Sequence, residues 1–186
     1  FQVTYLDVNK EGIVNPKDVI NAIRKDTILI SIMYANNEIG TIQPIEEIGK
    51  ICKEKNIIFH TDAVQAFTKI PIDMKKMNIN LVSISAHKIH GPKGIGALAI
   101  YNAEIKRLID GGPQEFELRS GTENIPGIMG LAEAVKIAND SDRSLVTMVL
   151  MLCILRHSGL SRISNVASAR DPGCTALTRM TIVLRP

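Results

Sequence analysis

The sequence predicts an α/β fold, a mainly parallel sheet flanked by helices. Short apolar runs rich in β-branched residues recur along the first three-quarters of the chain, and segments with apolar residues at helical spacing separate them. The runs are also nearly continuous in their apolar character, as strands covered on both faces must be. An alternation of such strands with helices places helices on both faces of a parallel sheet.

Val3-Thr4-Tyr5-Leu6 reads as the first strand. Asn15 then offers a side-chain cap and Pro16 a first helical residue without an N–H to satisfy. This helix is expected to turn Val19, Ile20 and Ile23 to one face. Thr27 to Met33 is the second strand. After the polar loop Tyr34 to Gln43, Pro44 opens a helix with Ile45, Ile48 and Ile51 inward. Ile57-Ile58-Phe59, Leu81 to Ser85 and Gly96 to Tyr101 are further strands, and Ile128 to Ala138 is a helix. No internal repeat or low-complexity segment interrupts the pattern.

A chain of 186 residues with 45% hydrophobic and 22% charged residues has room for one sizeable core. The net charge of +3 is small and its basic residues are scattered, which speaks against a nucleic-acid partner. Cys52, Cys153 and Cys174 follow neither a disulfide nor a zinc spacing, and the four histidines do not form a metal-ligand pattern. The longest apolar run, Leu145 to Leu155, is too short to cross a membrane, a step that takes about 20 residues. No secretory signal is visible, so a cytoplasmic location is the expectation.

Composition changes near Asp142. Residues 1 to 142 hold 13 lysines, 3 arginines and 18 acids, whereas residues 143 to 186 hold no lysine, 6 arginines and Asp171 alone. A division into residues 1–142 and a tail of 143–186 follows. The tail is either a divergent C-terminal region or a product of a shifted reading frame or junction, and the second reading is preferred. The chain also starts inside an element, as a fragment does.

The densest chemistry lies in S-A-H-K-I-H-G-P-K-G-I-G, Ser85 to Gly96. It sets Lys88 between His87 and His90 in a glycine-bearing loop at the end of a strand. Asp62, 26 residues upstream in H-T-D-A-V-Q, also follows a strand. In a parallel sheet both emerge at the carboxyl edge, where open α/β sheets bind ligands. A lysine amine that can form a Schiff base, with a carboxylate for a pyridinium nitrogen, is what a pyridoxal phosphate site requires. Partial desolvation would help by lowering the lysine pKa. Alone, Lys88 reads as a solvated lysine and Asp62 as a turn or cap residue; together they point to the cofactor. If the segment after Asp62 is helical, Gln65 faces the same way and its amide suits the phenolic oxygen of the ring. Ser85 and His87 offer a hydroxyl and a ring N–H to a phosphate. His60 reads as a core histidine. Asn36, Asn37 and Glu38 reach the same crevice or serve the turn, and Arg119 to Asn124 carries hydroxyls and amides that suit a phosphate.

Four segments in order then resemble the cysteine desulfurases of the class-V aminotransferase group: S-I-M-Y-A-N-N-E-I-G-T-I-Q-P-I (31–45), H-T-D-A-V-Q (60–65), S-A-H-K-I-H-G-P-K-G-I-G-A-L (85–98) and G-G-P-Q-E-F-E-L-R-S-G-T-E-N-I-P-G (111–127). The resemblance covers residues 1 to about 140. It implies the large domain of a fold-type I transferase dependent on pyridoxal 5'-phosphate. Lys88 would bind the cofactor covalently, Asp62 would pair with the ring nitrogen, and Asn37 and Gln65 would lie by the ring oxygen. Ser85 and His87 would hold the phosphate, and Thr122 would reach the phosphate of a partner subunit in a homodimer. The implied activity converts L-cysteine to L-alanine and passes sulfur to an enzyme persulfide. That sulfur would go on to an acceptor or iron–sulfur scaffold protein, for iron–sulfur clusters or thiolated cofactors.

Departures accompany the match. The family's N-terminal phosphate loop and ring-stacking histidine fall before Phe1, and its persulfide-forming cysteine falls beyond the chain end. Cys174 stands in a different context and comes too soon. Pro113 and Glu117 occupy positions where the family usually has glycines. The resemblance also admits a selenocysteine lyase, another class-V enzyme, or a non-catalytic remnant.

Overall fold

The computed structural model describes residues 1–141 and 181–185, with the backbone alone for 140, 141 and 181–185. In order these residues form β1 (Gln2–Leu6), α1 (Pro16–Ala22), β2 (Leu29–Met33), α2 (Ile45–Glu54), β3 (Ile58–Asp62), β4 (Leu81–Ser85), a 3-10 turn (Ala86–Ile89), β5 (Gly96–Ile100), α3 (Ile125–Ser141) and β6 (Thr181–Arg185). A second short 3-10 turn spans Glu115–Glu117.

The strands make one sheet in the order β1-β6-β2-β3-β4-β5. β2, β3 and β4 pair in parallel. β6 runs antiparallel to both β1 and β2, and β5 runs antiparallel to β4. β1 to β4 therefore share one direction, the parallel majority expected from the sequence, and β5 and β6 oppose them. β6 comes from the compositionally distinct tail, which the sequence pattern did not mark as a strand.

Local chemistry explains the helices. The Asn15 side chain accepts the Lys17 N–H at 3.0 Å, with Pro16 as the first helical residue of α1. Val19 is fully buried, whereas Ile20 is 46% exposed, so the inward face of α1 is narrower than expected. On α2, Ile45, Ile48 and Ile51 all face the core. Phe59, Ile30, Ile32 and Val82 fill the sheet interior with no exposed surface. Each such side chain contributes about 1.5–3 kcal/mol by leaving water. This dry core fixes the strands whose ends carry the polar residues.

Candidate active site

The parallel register puts the ends of β2, β3 and β4 at one edge. Met33 stands opposite Asp62, and Asp62 opposite Ser83. Past β2 the chain stays tied to this edge, because the Tyr34 N–H donates to the Asp62 carbonyl at 2.8 Å. The loop then doubles back, with Asn36 N–H to the Thr41 carbonyl at 2.9 Å and Gln43 N–H to the Tyr34 carbonyl at 2.8 Å. Asn36 closes its tip, its side-chain oxygen accepting the N–H groups of Glu38 and Ile39 at 2.8 and 3.0 Å. Asn36 is buried in that role, while Asn37 is exposed on the turn.

Asp62 is the last residue of β3 and half-buried. Its Oδ1 accepts the Val64 N–H at 2.9 Å, and burial still pushes its carboxyl above the ordinary value. A carboxylate short of water is a receptive counter-ion for a cation, because pairing restores the charged form. The residues after it form hydrogen-bonded turns rather than a regular helix: Phe67 N–H donates to Ala63 O at 2.8 Å and Ile70 N–H to Ala66 O at 2.8 Å. Gln65 lies in these turns, half-buried, beside the Asp62 edge.

Lys88 sits on the 3-10 turn inside the ten-residue connection between β4 and β5. The Ala86 N–H closes that connection on the Ile95 carbonyl at 3.1 Å, and Gly91 N–H folds it back on the Ala86 carbonyl at 2.9 Å. His90 ends the turn in the left-handed conformation, φ 65°, and Gly94 has φ 80°. Ser85 is buried, and its hydroxyl is hydrogen-bonded to Nδ1 of the exposed His87 at 2.7 Å. The two side chains expected to hold a phosphate are thus already bonded to each other. Lys88 itself is exposed, so the partial desolvation expected from the sequence is not provided by the described residues. Thr122 is exposed, three residues ahead of α3.

The sequence reading of His60 as a core histidine holds, but the two serines that partner it were passed over. His60 is buried, and its two ring nitrogens are hydrogen-bonded to Ser31 at 2.7 Å and Ser83 at 2.8 Å, bridging β2, β3 and β4. Burial lowers its pKa to about 4. The signal was present: Ser31 and Ser83 are hydroxyls inside otherwise apolar strand runs. Gln43 was likewise unmarked, although it is buried and clamps the Gly12–Val14 loop through the Gly12 carbonyl and the Val14 N–H, both at 2.8 Å. Cys52 is packed in the core, and burial pushes its thiol up to about 12. Cys153 and Cys174 lie outside the described residues. Among the described residues no cluster of His, Cys, Asp or Glu could hold a metal ion, and no helix is long and apolar enough to cross a membrane.

Three comparisons bear on the family of this chain. The protein is 58% identical over 153 residues to the cysteine desulfurase IscS of Methanosarcina thermophila, covering 80% of this chain and 38% of that protein. It is 48% identical over 184 residues to the mitochondrial cysteine desulfurase of Candida albicans, covering 94% of this chain and 38% of that one. Among solved structures, a NifS-like protein superposes with a TM-score of 0.71 at 47% identity, covering 76% of this chain and 40% of its own. SspA, solved in complex with cysteine, gives 0.70 at 40% identity, covering 89% of this chain and 44% of its own. The chain thus spans well under half the length of these relatives. Residues 1–148 match the family model described as aminotransferase class-V, and with that match over most of its length the chain belongs to the class-V aminotransferase family.

Proposed function

We propose that this chain supplies the cofactor-binding part of a pyridoxal-phosphate-dependent cysteine desulfurase. The observation that carries the proposal is the shared strand edge. The register of β3 against β4 brings a carboxylate short of water, Asp62, and the turn that presents Lys88 to one side of the sheet. The likeness to cysteine desulfurases supports the substrate, L-cysteine.

The donor set fits the cofactor. Lys88 offers an accessible amine, Asp62 an anion for a ring nitrogen, and Asn37 and Gln65 amides for a ring oxygen. The hydrogen-bonded pair Ser85–His87 would hold the phosphate, and Thr122 would serve the phosphate of a second subunit in a homodimer. Pyridoxal phosphate, when bound, supplies an aldehyde for an amine and a ring that stores negative charge. The part of Asp62 is to hold its charge beside the ring nitrogen. Lys88 would hold the cofactor's aldehyde through Nζ and would carry a proton at that atom. Sulfur leaves cysteine when a thiolate attacks it; the carbon gains a proton to become alanine, and the thiol becomes a persulfide. An acceptor or iron–sulfur scaffold protein then takes the sulfur, in the cytoplasm.

The thiolate does not come from Cys52, since a core thiol titrating near 12 is neither ionised at neutral pH nor able to travel. A second reading is a non-catalytic remnant that keeps the cofactor residues; a selenocysteine lyase fits the same donors. In either reading residues 1–142 are the cofactor-binding portion, and 143–186 are a divergent tail that returns one strand, β6, to the sheet. The test is the absorbance of purified protein given pyridoxal phosphate. We expect a band that Lys88→Ala removes, with little release of alanine or sulfide from L-cysteine. A band that survives Lys88→Ala defeats the cofactor assignment, and robust turnover lost in Cys174→Ser makes Cys174 the nucleophile.

A further inference from the structure

The turn that carries Lys88 is seated on α3. Ala86 and Ile89 point into the core, as do Leu131 and Ala134 of the helix. The contact is close enough that a side chain would be tight at one glycine and would clash at another. A Cβ on Gly91 would lie 3.2 Å from the Ala134 Cβ, 3.0 Å from the Ala86 Cβ and 3.1 Å from the Ala86 carbonyl oxygen. On Gly130 it would fall 2.4 Å from Cγ and 2.8 Å from Cδ of Pro92. The second clash is the harder one, because a pyrrolidine ring cannot rotate away as a flexible side chain can.

Gly130 lies well inside a 17-residue helix. Helix propensity favours alanine at such a position, so the glycine is explained by what it touches. Pro92 belongs to a loop closed by the bonds from Gly91 N–H to Ala86 O and from Ala86 N–H to Ile95 O. A push on its ring is therefore passed through this small closed unit to the turn holding Lys88, rather than absorbed locally.

We propose that Gly130 is a positioning residue for Lys88: its missing side chain lets α3 seat Pro92, and that contact sets where the lysine amine stands at the sheet edge. The placement of the turn stands on geometry alone, and its chemical consequence rests on the cofactor reading above. The full chain is compared with Gly130→Ala, Pro92→Ala and the double variant. Pro92→Ala removes Cγ and Cδ and leaves a Cβ at 3.8 Å, an ordinary contact, so it makes room for the new methyl group.

Without cofactor, the readout is hydrogen exchange at the Gly91 amide. With pyridoxal phosphate, it is the pH midpoint of the Lys88-dependent absorbance. Gly130→Ala is expected to speed Gly91 exchange about tenfold, leave β2 to β4 unchanged, and shift the pH midpoint. Adding Pro92→Ala should return both readouts to those of Pro92→Ala alone. Wild-type exchange and pH midpoint in Gly130→Ala overturn the proposal, as does faster exchange spread over the whole sheet or an effect that Pro92→Ala fails to relieve. If the unaltered chain shows no Lys88-dependent band while Gly91 exchange responds as expected, the cofactor reading fails and the placement of the turn by α3 stands.

Discussion

Asp62 stands opposite Ser83 across the parallel pair β3–β4, and the next N–H along, that of Ala63, donates to the Ser83 carbonyl at 3.0 Å. On the other side the Asp62 carbonyl accepts the Tyr34 N–H. Its backbone is thus held from both sides of the strand and one carboxylate oxygen by Val64, so the orientation of Asp62 is set before any ligand arrives. Such preorganisation spares a ligand the cost of ordering its partner.

That orientation is maintained against burial, which raises the Asp62 pKa. A group with a raised folded pKa contributes stability below its unfolded value, 3.8, and loses it as pH rises through the folded pKa. Asp62→Asn should therefore make the cofactor-free protein more stable at neutral pH while weakening retention of pyridoxal phosphate at least tenfold. Urea unfolding at pH 7 and dialysis of the loaded protein check the two halves, and a variant that loses stability and keeps cofactor contradicts both.

His60 works in the opposite sense. Its pKa falls from 6.5 to about 4, so its contribution is complete above pH 6.5 and is lost as pH drops towards 4. A shift of this size corresponds to ~3 kcal/mol. Denaturation midpoints taken between pH 7 and pH 4 should fall steeply in the unaltered protein. They should flatten in His60→Gln, whose side chain does not titrate. An equal slope in the two proteins counts against His60 as the source.

Glu117 should respond to loss of its side chain. Glu115, Phe116 and Glu117 all have positive φ, 49°, 58° and 64°, a run that L-residues with side chains adopt at a cost. The ion pair from Arg119 to Glu115 at 3.2 Å and the Gln114 oxygen on the Gly121 N–H at 3.0 Å hold the loop there. Glu117 is exposed and adds to this only its backbone N–H, which donates to the Gln114 carbonyl at 3.0 Å and which glycine would keep. Glu117→Gly should raise stability by about 0.5–1 kcal/mol, read as a higher thermal midpoint. A lower midpoint would show that the backbone strain is compensated at that residue.

Among the described residues β1 pairs with β6 alone. Removing residues 143–186 should strip hydrogen-exchange protection from Gln2–Leu6 while β3 and β4 keep theirs, because their pairing is mutual and buried. Protection of β1 that survives the deletion would mean that β6 does not carry it.

Features that depend on neighbours in the chain were legible in the sequence. The Asn15 cap, the first-turn Pro16, the inward isoleucines of α2 and the strand-ending positions of Asp62 and Ser85 all follow from short-range pattern. What stayed hidden depends on distant partners. β6 takes its place through pairing with β1 and β2, more than 140 residues away. Ile20 differs from Val19 only in which side of a seven-residue helix meets the sheet. The left-handed run at Glu115–Glu117 leaves no trace in residue type, since glutamate and phenylalanine ordinarily avoid it. The exposure of Lys88 is a property of the surrounding fold and not of its own motif.

The row Ser31–His60–Ser83 has a consequence for how this protein can change by mutation. Replacing either serine alone by alanine leaves a buried ring nitrogen without its partner, which costs about 1–3 kcal/mol. Exchanging all three for apolar residues of matched shape can be nearly neutral. Single steps therefore lead downhill while the triple step does not, so the three positions should be inherited as a block or lost together. A library randomised at 31, 60 and 83 and selected for folding should return serine, histidine and serine jointly, or none of them, and few sequences in between.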